Sequence, residues 1–275
     1  MLVLHGARQV GKTTLARIFA DRVGGAYVTL DDADQRSAAA ADPPTFLSAS
    51  GTPLVIDEVQ RVGEPLVLAI KAQVDRDDRP GRFMVTGSTN FLTVPSISET
   101  LAGRADIVTL WPLSQGELRG GQDDFVDRAF AEPDSLVRRR SQVLDRADYF
   151  RALCVGGYPA VHRLGDRSRS RWFRAYVDTV LAREIRMATD IRRASALMSL
   201  IRYLAATTAQ ELAVSTAAGR TGLDRTTAQD YLAWLSAVFL VHRIPAWSRN
   251  LTSQVVKRQK VYLTDTGVAA GLLGK

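Results

Sequence analysis

The stretch Gly6-Ala7-Arg8-Gln9-Val10-Gly11-Lys12-Thr13, followed by Thr14, fits the spacing G-x-x-x-x-G-K-[ST]. Glycines at both ends let the backbone curl so that successive N–H groups face one anion. A helix beginning near Lys12 aims the positive end of its dipole at the same point. In such a loop residues Gly6 to Thr14 cradle phosphates, Lys12 reaches the β- and γ-phosphates, and the Thr13 hydroxyl coordinates magnesium. The flanks agree with this reading. Leu2-Val3-Leu4-His5 is a short apolar strand before the loop, and Thr13 to Val23 reads as a helix with Leu15, Ile18 and Phe19 on one face.

Working outward, Ala26 to Leu30 is a second strand candidate, and Leu54-Val55-Ile56 is a third, apolar throughout as a strand buried on both faces should be. The third runs directly into Asp57-Glu58. An aspartate at the end of such a strand can hold a magnesium shell, and the glutamate beside it can orient and polarise an attacking water. Pro65 to Val74 reads as a helix, Phe83 to Val85 as a fourth strand, and Ile107 to Leu110 as a fifth. Strands alternating with helices predict a parallel α/β sheet. The fourth strand leads into Thr86-Gly87-Ser88-Thr89-Asn90, where Ser88 and Asn90 are candidates to sense the γ-phosphate or hold the water, with a plain turn as the alternative. Arg104, in Leu101-Ala102-Gly103-Arg104, is a candidate arginine finger, in its own subunit or across an interface; a structural ion pair is the alternative.

The 275 residues suggest about two domains. With 46% apolar and 24% charged residues, the composition is that of a globular chain and excludes wholesale disorder. No apolar run is long enough for a membrane helix, and the first residues lack a secretory signal. Cys154 is the only cysteine and the histidines number three, which excludes an internal disulfide and a zinc-type cluster. The expectation is a soluble cytoplasmic protein with no membrane partner. Charge is unevenly placed: residues 1–135 carry a balance of −6 and residues 136–275 one of +13. The basic half invites a polyanion or an acidic partner surface.

The domains read as a phosphate-loop domain over 1–119, a polar linker over 120–146, a helical segment over 147–194 and a winged-helix-like domain over 195–275. In the helical segment, Trp172, Tyr176 and Val180 recur every four residues, as do Phe173, Val177 and Leu181; this broad apolar face reads as core. In the last domain, Ser215 to Thr221, Gly222-Leu223-Asp224 and Arg225 to Phe239 read as helix, turn, helix, with Asp224 as a cap. Strand-like stretches near 239–244 and 255–263 follow. Arg249, Lys257, Arg258 and Lys260 surround the loop between them, so DNA contact through residues 215–260 is the functional reading and a packing module the alternative.

Taken together, GARQVGKTT, LVIDEVQ, VTGSTNFL and LAGRADIVTLWPLS resemble the bacterial and archaeal AAA-type P-loop ATPases of the archaeal-ATPase group. GGYP at 156–159, LAREI at 181–185 and the stretch from PAWSRN to KVYLTDTG at 245–267 resemble the C-terminal region of one bacterial family in that group. The resemblance implies an α/β fold for the first domain, a P-loop NTPase parallel sheet of the additional-strand Asp-Glu type; the residue patterns above add a mainly helical domain with a winged helix. It implies ATP and Mg2+ as ligands, with Lys12, Thr13, Asp57 and Glu58 taking their roles from matching motif positions and Ser88 and Arg104 following. A homo-oligomer is a further partner candidate, since Arg104 could act across an interface. Relatives have a helical segment before the first strand and a nuclease-like region after TDTG, so the expectation is a chain truncated at both ends. The functional expectation is a slow magnesium-dependent ATPase that acts as a switch or assembly module; the alternative is a nucleic-acid-binding regulator with a vestigial nucleotide site.

Overall fold

The structure is a computed structural model and describes residues 1–87, 102–138, 144–185, 192–249 and 257–275. The chain divides into two compact units, Met1–Trp111 with Ala237–Phe239, and Pro112–Ser236 with Leu240–Lys275.

In the first unit, β1 (Leu2–Gly6), β2 (Ala26–Thr29), β3 (Leu54–Asp57), β4 (Phe83–Gly87) and β5 (Asp106–Leu110) form one sheet in the order β2-β3-β4-β1-β5. Every neighbouring pair is parallel. Strand β4 lies between the strand that feeds the loop and the strand that ends in Asp57, which is the additional-strand arrangement expected from the sequence. Among the described residues, the α-helices of this unit are α1 (Lys12–Val23), α2 (Ala33–Ala41), α3 (Pro43–Ser50) and α4 (Glu64–Arg76).

Alternation along the strands divides the core between the two faces of the sheet. Val3, Leu54, Ile56, Phe83 and Val85 join Ala39, Phe46, Leu47, Leu66, Val67 and Ile70 of α2, α3 and α4 in one cluster. Leu4, Val55 and Met84 face the other way and meet Ala16 and Ala20 of α1. The expected apolar face of α1 needs correction here. Leu15 and Ile18 are exposed, and the face that meets the sheet carries Ala16, Ala20 and the half-buried Phe19. Small side chains let that helix lie close to the strands, so its buried face is marked by size rather than by bulk.

The second unit is mainly helical. It contains α5 (Gln115–Leu118), α6 (Phe125–Ala131), α7 (Pro133–Arg138), α8 (Arg146–Val155), α9 (Asp166–Ile185), α10 (Arg192–Ala206), α11 (Val214–Thr221), α12 (Arg225–Ala237) and α13 (Thr266–Leu272). The apolar stripe of α9 is core as expected: Phe173, Tyr176, Val177, Val180 and Leu181 are buried, and Trp172 stacks on Tyr176. Strands β6 (Gln210–Glu211), β7 (Val241–Ile244) and β8 (Lys260–Leu263) make an antiparallel sheet in the order β6-β8-β7. In chain order this gives helix, strand, helix, helix, strand, strand from α10 to β8. Gly222, at φ 71°, ends α11, and Asp224 accepts from the Thr227 amide at 2.8 Å to cap α12.

Three glycines and an aspartate fasten this unit. Asp265 is 5% exposed, and its Oδ2 accepts from the Gly157 amide at 2.6 Å. Its Oδ1 accepts from the Val268 amide at 2.9 Å and so caps α13. A Cβ on Gly156 would run into that carboxylate, one on Gly157 into the Leu113 carbonyl, and one on Gly267 into the Phe173 ring. The GGYP and TDTG motifs are thus two halves of one closure.

Candidate nucleotide site

Strand β1 hands the chain to the loop at Gly6, which adopts φ 153° and lies so close to β5 that a Cβ would meet the Leu110 carbonyl. Within the loop Gly11 has φ 102°, and Gln9, which is not a glycine, has φ 63°. Left-handed backbone at a non-glycine residue costs on the order of 1–2 kcal/mol and concentrates at functional sites. Ala7 and Val10 point into the core and anchor the loop from below, while Gln9 is exposed and Arg8 half-buried. Lys12 opens α1 and is 6% exposed; its Nζ donates to the carbonyls of Gly6 at 3.0 Å and Ala7 at 2.7 Å. The ammonium therefore sits folded across the loop it belongs to. Burial lowers its pKa, and the charges of Glu58 and Asp57 oppose that shift.

Three hydroxyl groups converge on Asp57, which is 2% exposed. Thr13 Oγ1 donates to Asp57 Oδ2 at 2.8 Å, Tyr27 Oη donates to the same oxygen at 2.9 Å, and Thr86 Oγ1 donates to Oδ1. Each donor comes from a different element: α1, β2 and β4. Thr86 also accepts from the Glu58 amide at 3.2 Å, which ties the end of β3 to the end of β4. Glu58 itself adopts φ 60°, a second left-handed non-glycine residue beside the loop. Its carboxylate accepts from Gln60 Nε2. Burial raises its pKa; Gln60 and Lys12 pull it down, while Asp57 and Asp31 push it up. A half-buried carboxylate with a raised pKa has the character of a general base.

The structure brings Gly6, Ala7, Arg8, Gln9, Val10, Gly11, Lys12, Thr13 and Thr14 into one loop and helix turn, and places Asp57 and Glu58 beside it. Ser88 and Asn90 lie outside the described residues. Arg104 is not brought to this loop. Its carbonyl accepts from the Met1 ammonium at 2.9 Å, and its guanidinium pairs with Asp75. Asp106 is in register with Leu2, so Arg104 precedes the far end of β1, roughly 15 Å from the loop at ~3.3 Å per residue. The pair with Asp75 is the structural ion pair that the sequence left as the alternative to a finger.

Sequence reasoning missed Tyr27, Thr86 and Gln60. Thr86 opens the small polar run that the sequence singled out and lies within β4, and the register Ile56↔Val85 carries it alongside Asp57. Tyr27 leaves no local sign, because only the adjacency of β2 and β3 brings it near.

A family model described as AAA domain matches residues 1–119. Residues 1–119 are thus similar to an AAA domain, and the phosphate-loop spacing of residues 6–13 lies inside that match. Residues 146–275 match a domain of unknown function, DUF8612. Curated proteins of Mycobacterium bovis and Mycobacterium tuberculosis, both described as uncharacterised, are each 27% identical over 284 residues, covering 100% of this chain and 56% of theirs. The chain thus spans about half the length of the curated relatives it matches. Among solved structures, the Thermotoga maritima RuvB Holliday junction branch migration motor is similar at 19% identity and TM-score 0.38, covering 89% of this chain and 82% of that one. The Aeropyrum pernix ORC1 protein in complex with DNA is similar at 14% identity and TM-score 0.29, covering 100% and 86%.

The donors around the AAA loop suit a small hard cation. A threonine hydroxyl and a carboxylate are oxygen ligands of the kind magnesium takes, usually with substrate phosphates and water completing its shell. Among the described residues no cluster of three or more His, Cys, Asp or Glu forms a metal cage, so a cation here would depend on phosphate and water.

Proposed function

We propose that the AAA domain binds ATP with magnesium and hydrolyses it slowly, and that the nucleotide state acts as a switch or assembly signal for the rest of the chain. One observation carries this reading: Lys12 and Thr13, Asp57, and Glu58 meet at the open end of one parallel sheet, with left-handed backbone at Gln9 and Glu58. Lys12 would exchange the Gly6 and Ala7 carbonyls for phosphate oxygens. Thr13 and Asp57 would hold the magnesium shell, and magnesium would supply charge neutralisation on the phosphates. Glu58 would accept a proton from the attacking water once Gln60 releases it. Ser88 and Asn90 remain candidates for contact with the γ-phosphate.

Equilibrium binding of a fluorescent ATP analogue, paired with phosphate release, tests this. Lys12→Ala should abolish nucleotide binding, and Glu58→Gln should keep binding and remove turnover. Equal hydrolysis by wild type and Glu58→Gln would take Glu58 out of the mechanism. Arg104, which is far from its own loop, would serve a neighbouring subunit of a homo-oligomer after leaving Asp75. Specific activity should then rise with protein concentration, and Arg104→Ala should lower it on the order of 10³-fold.

The arrangement from α10 to β8 supports a second reading. Its element order and β6-β8-β7 sheet favour the expected winged helix, in which α12 would take the recognition position. Arg225, Thr226, Gln229, Asp230 and Ala233 form the exposed face of α12, and Arg243, Arg249, Lys257, Arg258 and Lys260 are exposed around the strand pair. That distribution favours DNA as a partner of residues 215–260, in which case affinity should fall steeply with salt. Among the described residues no helix is long and apolar enough to cross a membrane, and a cytoplasmic location fits the expected ligand.

A further inference from the structure

Asp57 is held by more hydroxyl groups than the loop motif requires. Thr13 belongs to that motif, and Thr86 bridges Asp57 and the Glu58 amide at the strand ends. Tyr27 belongs to neither. It sits on β2 opposite Val55, while Thr29 is the residue opposite Asp57. Residues two apart on a strand share a face, and the length of a phenol side chain spans that offset of about 7 Å. Only a tyrosine can place a hydroxyl there from that position. On its other side the ring is covered by Arg17, whose guanidinium carbon lies 5.1 Å from the ring centroid. Arg17 follows Thr13 by one helical turn, so α1 supplies both Thr13 and the group that covers the ring.

A carboxylate offers about four lone-pair sites. Among the described residues three are occupied by hydroxyl donors, and the fourth would accept from a water of a cation shell. The Thr13 hydroxyl has a single proton, given to Asp57 Oδ2, while its oxygen keeps lone pairs for a cation. Tyr27 donates a second hydrogen bond to the same Oδ2. The Asp57 carboxylate can therefore neither rotate nor drift when Thr13 adjusts.

We propose that Tyr27 is a positioning residue for magnesium: by donating its hydroxyl to Asp57 Oδ2, it fixes the carboxylate that receives the metal's water shell. The proposal rests on the ATP-and-magnesium reading above. Partners that orient a metal-binding carboxylate typically contribute about 10–100-fold to metal affinity.

The test uses the full chain and N-methylanthraniloyl-ATP, titrated in EDTA and then across a magnesium series. In Tyr27→Phe the ring stays under Arg17 and only the hydroxyl is lost. Affinity in EDTA should match wild type, while the magnesium concentration that half-saturates the nucleotide signal should rise about 10-fold or more. Arg17 also hydrogen-bonds the Tyr27 side chain, so Arg17→Ala, which keeps the donation to Asp57, should move the magnesium midpoint by much less than Tyr27→Phe does. A purely packing role predicts the reverse, with Arg17→Ala disturbing and Tyr27→Phe silent. An unchanged magnesium midpoint in Tyr27→Phe overturns the proposal and leaves the ATP reading standing. Loss of cooperative melting in Tyr27→Phe also overturns it, because the hydroxyl would then serve the fold. A wild-type chain that binds no nucleotide brings down the ATP reading itself.

Discussion

Asp57 and Asp265 are both nearly inaccessible carboxylates, one in each unit, and they are held in opposite ways. Asp57 accepts from three side-chain hydroxyls contributed by three elements. Asp265 accepts from main-chain amides, those of Gly157 and Val268, with glycine backbone pressed against it. A hydroxyl rotates and can reverse from donor to acceptor; an amide N–H can do neither. The donors around Asp57 can therefore re-aim when a ligand arrives while the carboxylate keeps its place, whereas those around Asp265 admit one geometry. The same residue type stands in the candidate site of one unit and in a fastening of the other, and the identity of the donors separates them.

The comparison can be broken most severely at the fastening. Gly157→Ala places a Cβ against the Leu113 carbonyl, which is main chain and cannot swing aside. Also at stake is the Leu113 amide bond to the Gly157 carbonyl at 2.8 Å. The expected loss is about 3 kcal/mol or more, read from denaturant unfolding followed by the fluorescence of Trp172, Trp234 and Trp247. A midpoint within error of wild type would show that the closure is loose. Asp265→Asn should cost less, about 2 kcal/mol. One side-chain oxygen becomes an NH2 group facing a fixed N–H, leaving a buried donor without an acceptor.

Asp57→Asn provides the contrast. The hydroxyls of Thr13, Tyr27 and Thr86 can turn and accept from the new amide, so stability should change by less than about 1 kcal/mol. Magnesium-dependent nucleotide binding should nonetheless be lost, because a neutral amide neither balances a divalent charge nor accepts at both atoms. If Asp57→Asn destabilised its unit as much as Asp265→Asn does the other, the distinction between rotating and fixed donors would fail.

Much of the first unit was legible because its signals are local. The loop from Gly6 to Thr14 announces itself within nine residues, and the apolar runs before Asp57 and Thr86 mark parallel strands. What escaped depended on strand order. Tyr27 meets Asp57 only because β2 lies beside β3, and a sequence does not reveal that adjacency. The reading of Leu15 and Ile18 as a buried face failed because a helix lying close on a sheet selects small residues, here Ala16 and Ala20. In the second unit the stripe from Trp172 to Leu181 was visible through its period. The closure was not: Gly157 and Asp265 are 108 residues apart. GGYP and TDTG stood out as separate motifs, and only the fold joins them.

The smallest effect expected is on pH dependence, and it follows from Asp265. Burial raises its folded-state pKa; the amides of Gly157, Val268 and Gly267 and the charge of His162 pull it back only in part. Between the unfolded value near 3.8 and the raised folded value, the folded state holds a proton that the unfolded state has released. Stability then falls as pH rises through that window, because the slope follows the difference in protons bound, unfolded minus folded. Below the unfolded value both states are protonated and the contribution is fully present. Asp265→Asn removes the ionisation, so unfolding midpoints taken from pH 3.5 upward should decline more steeply in wild type than in the variant. Parallel curves would mean that the amide donors balance the burial of the charge, and the fastening would then be neutral to protonation.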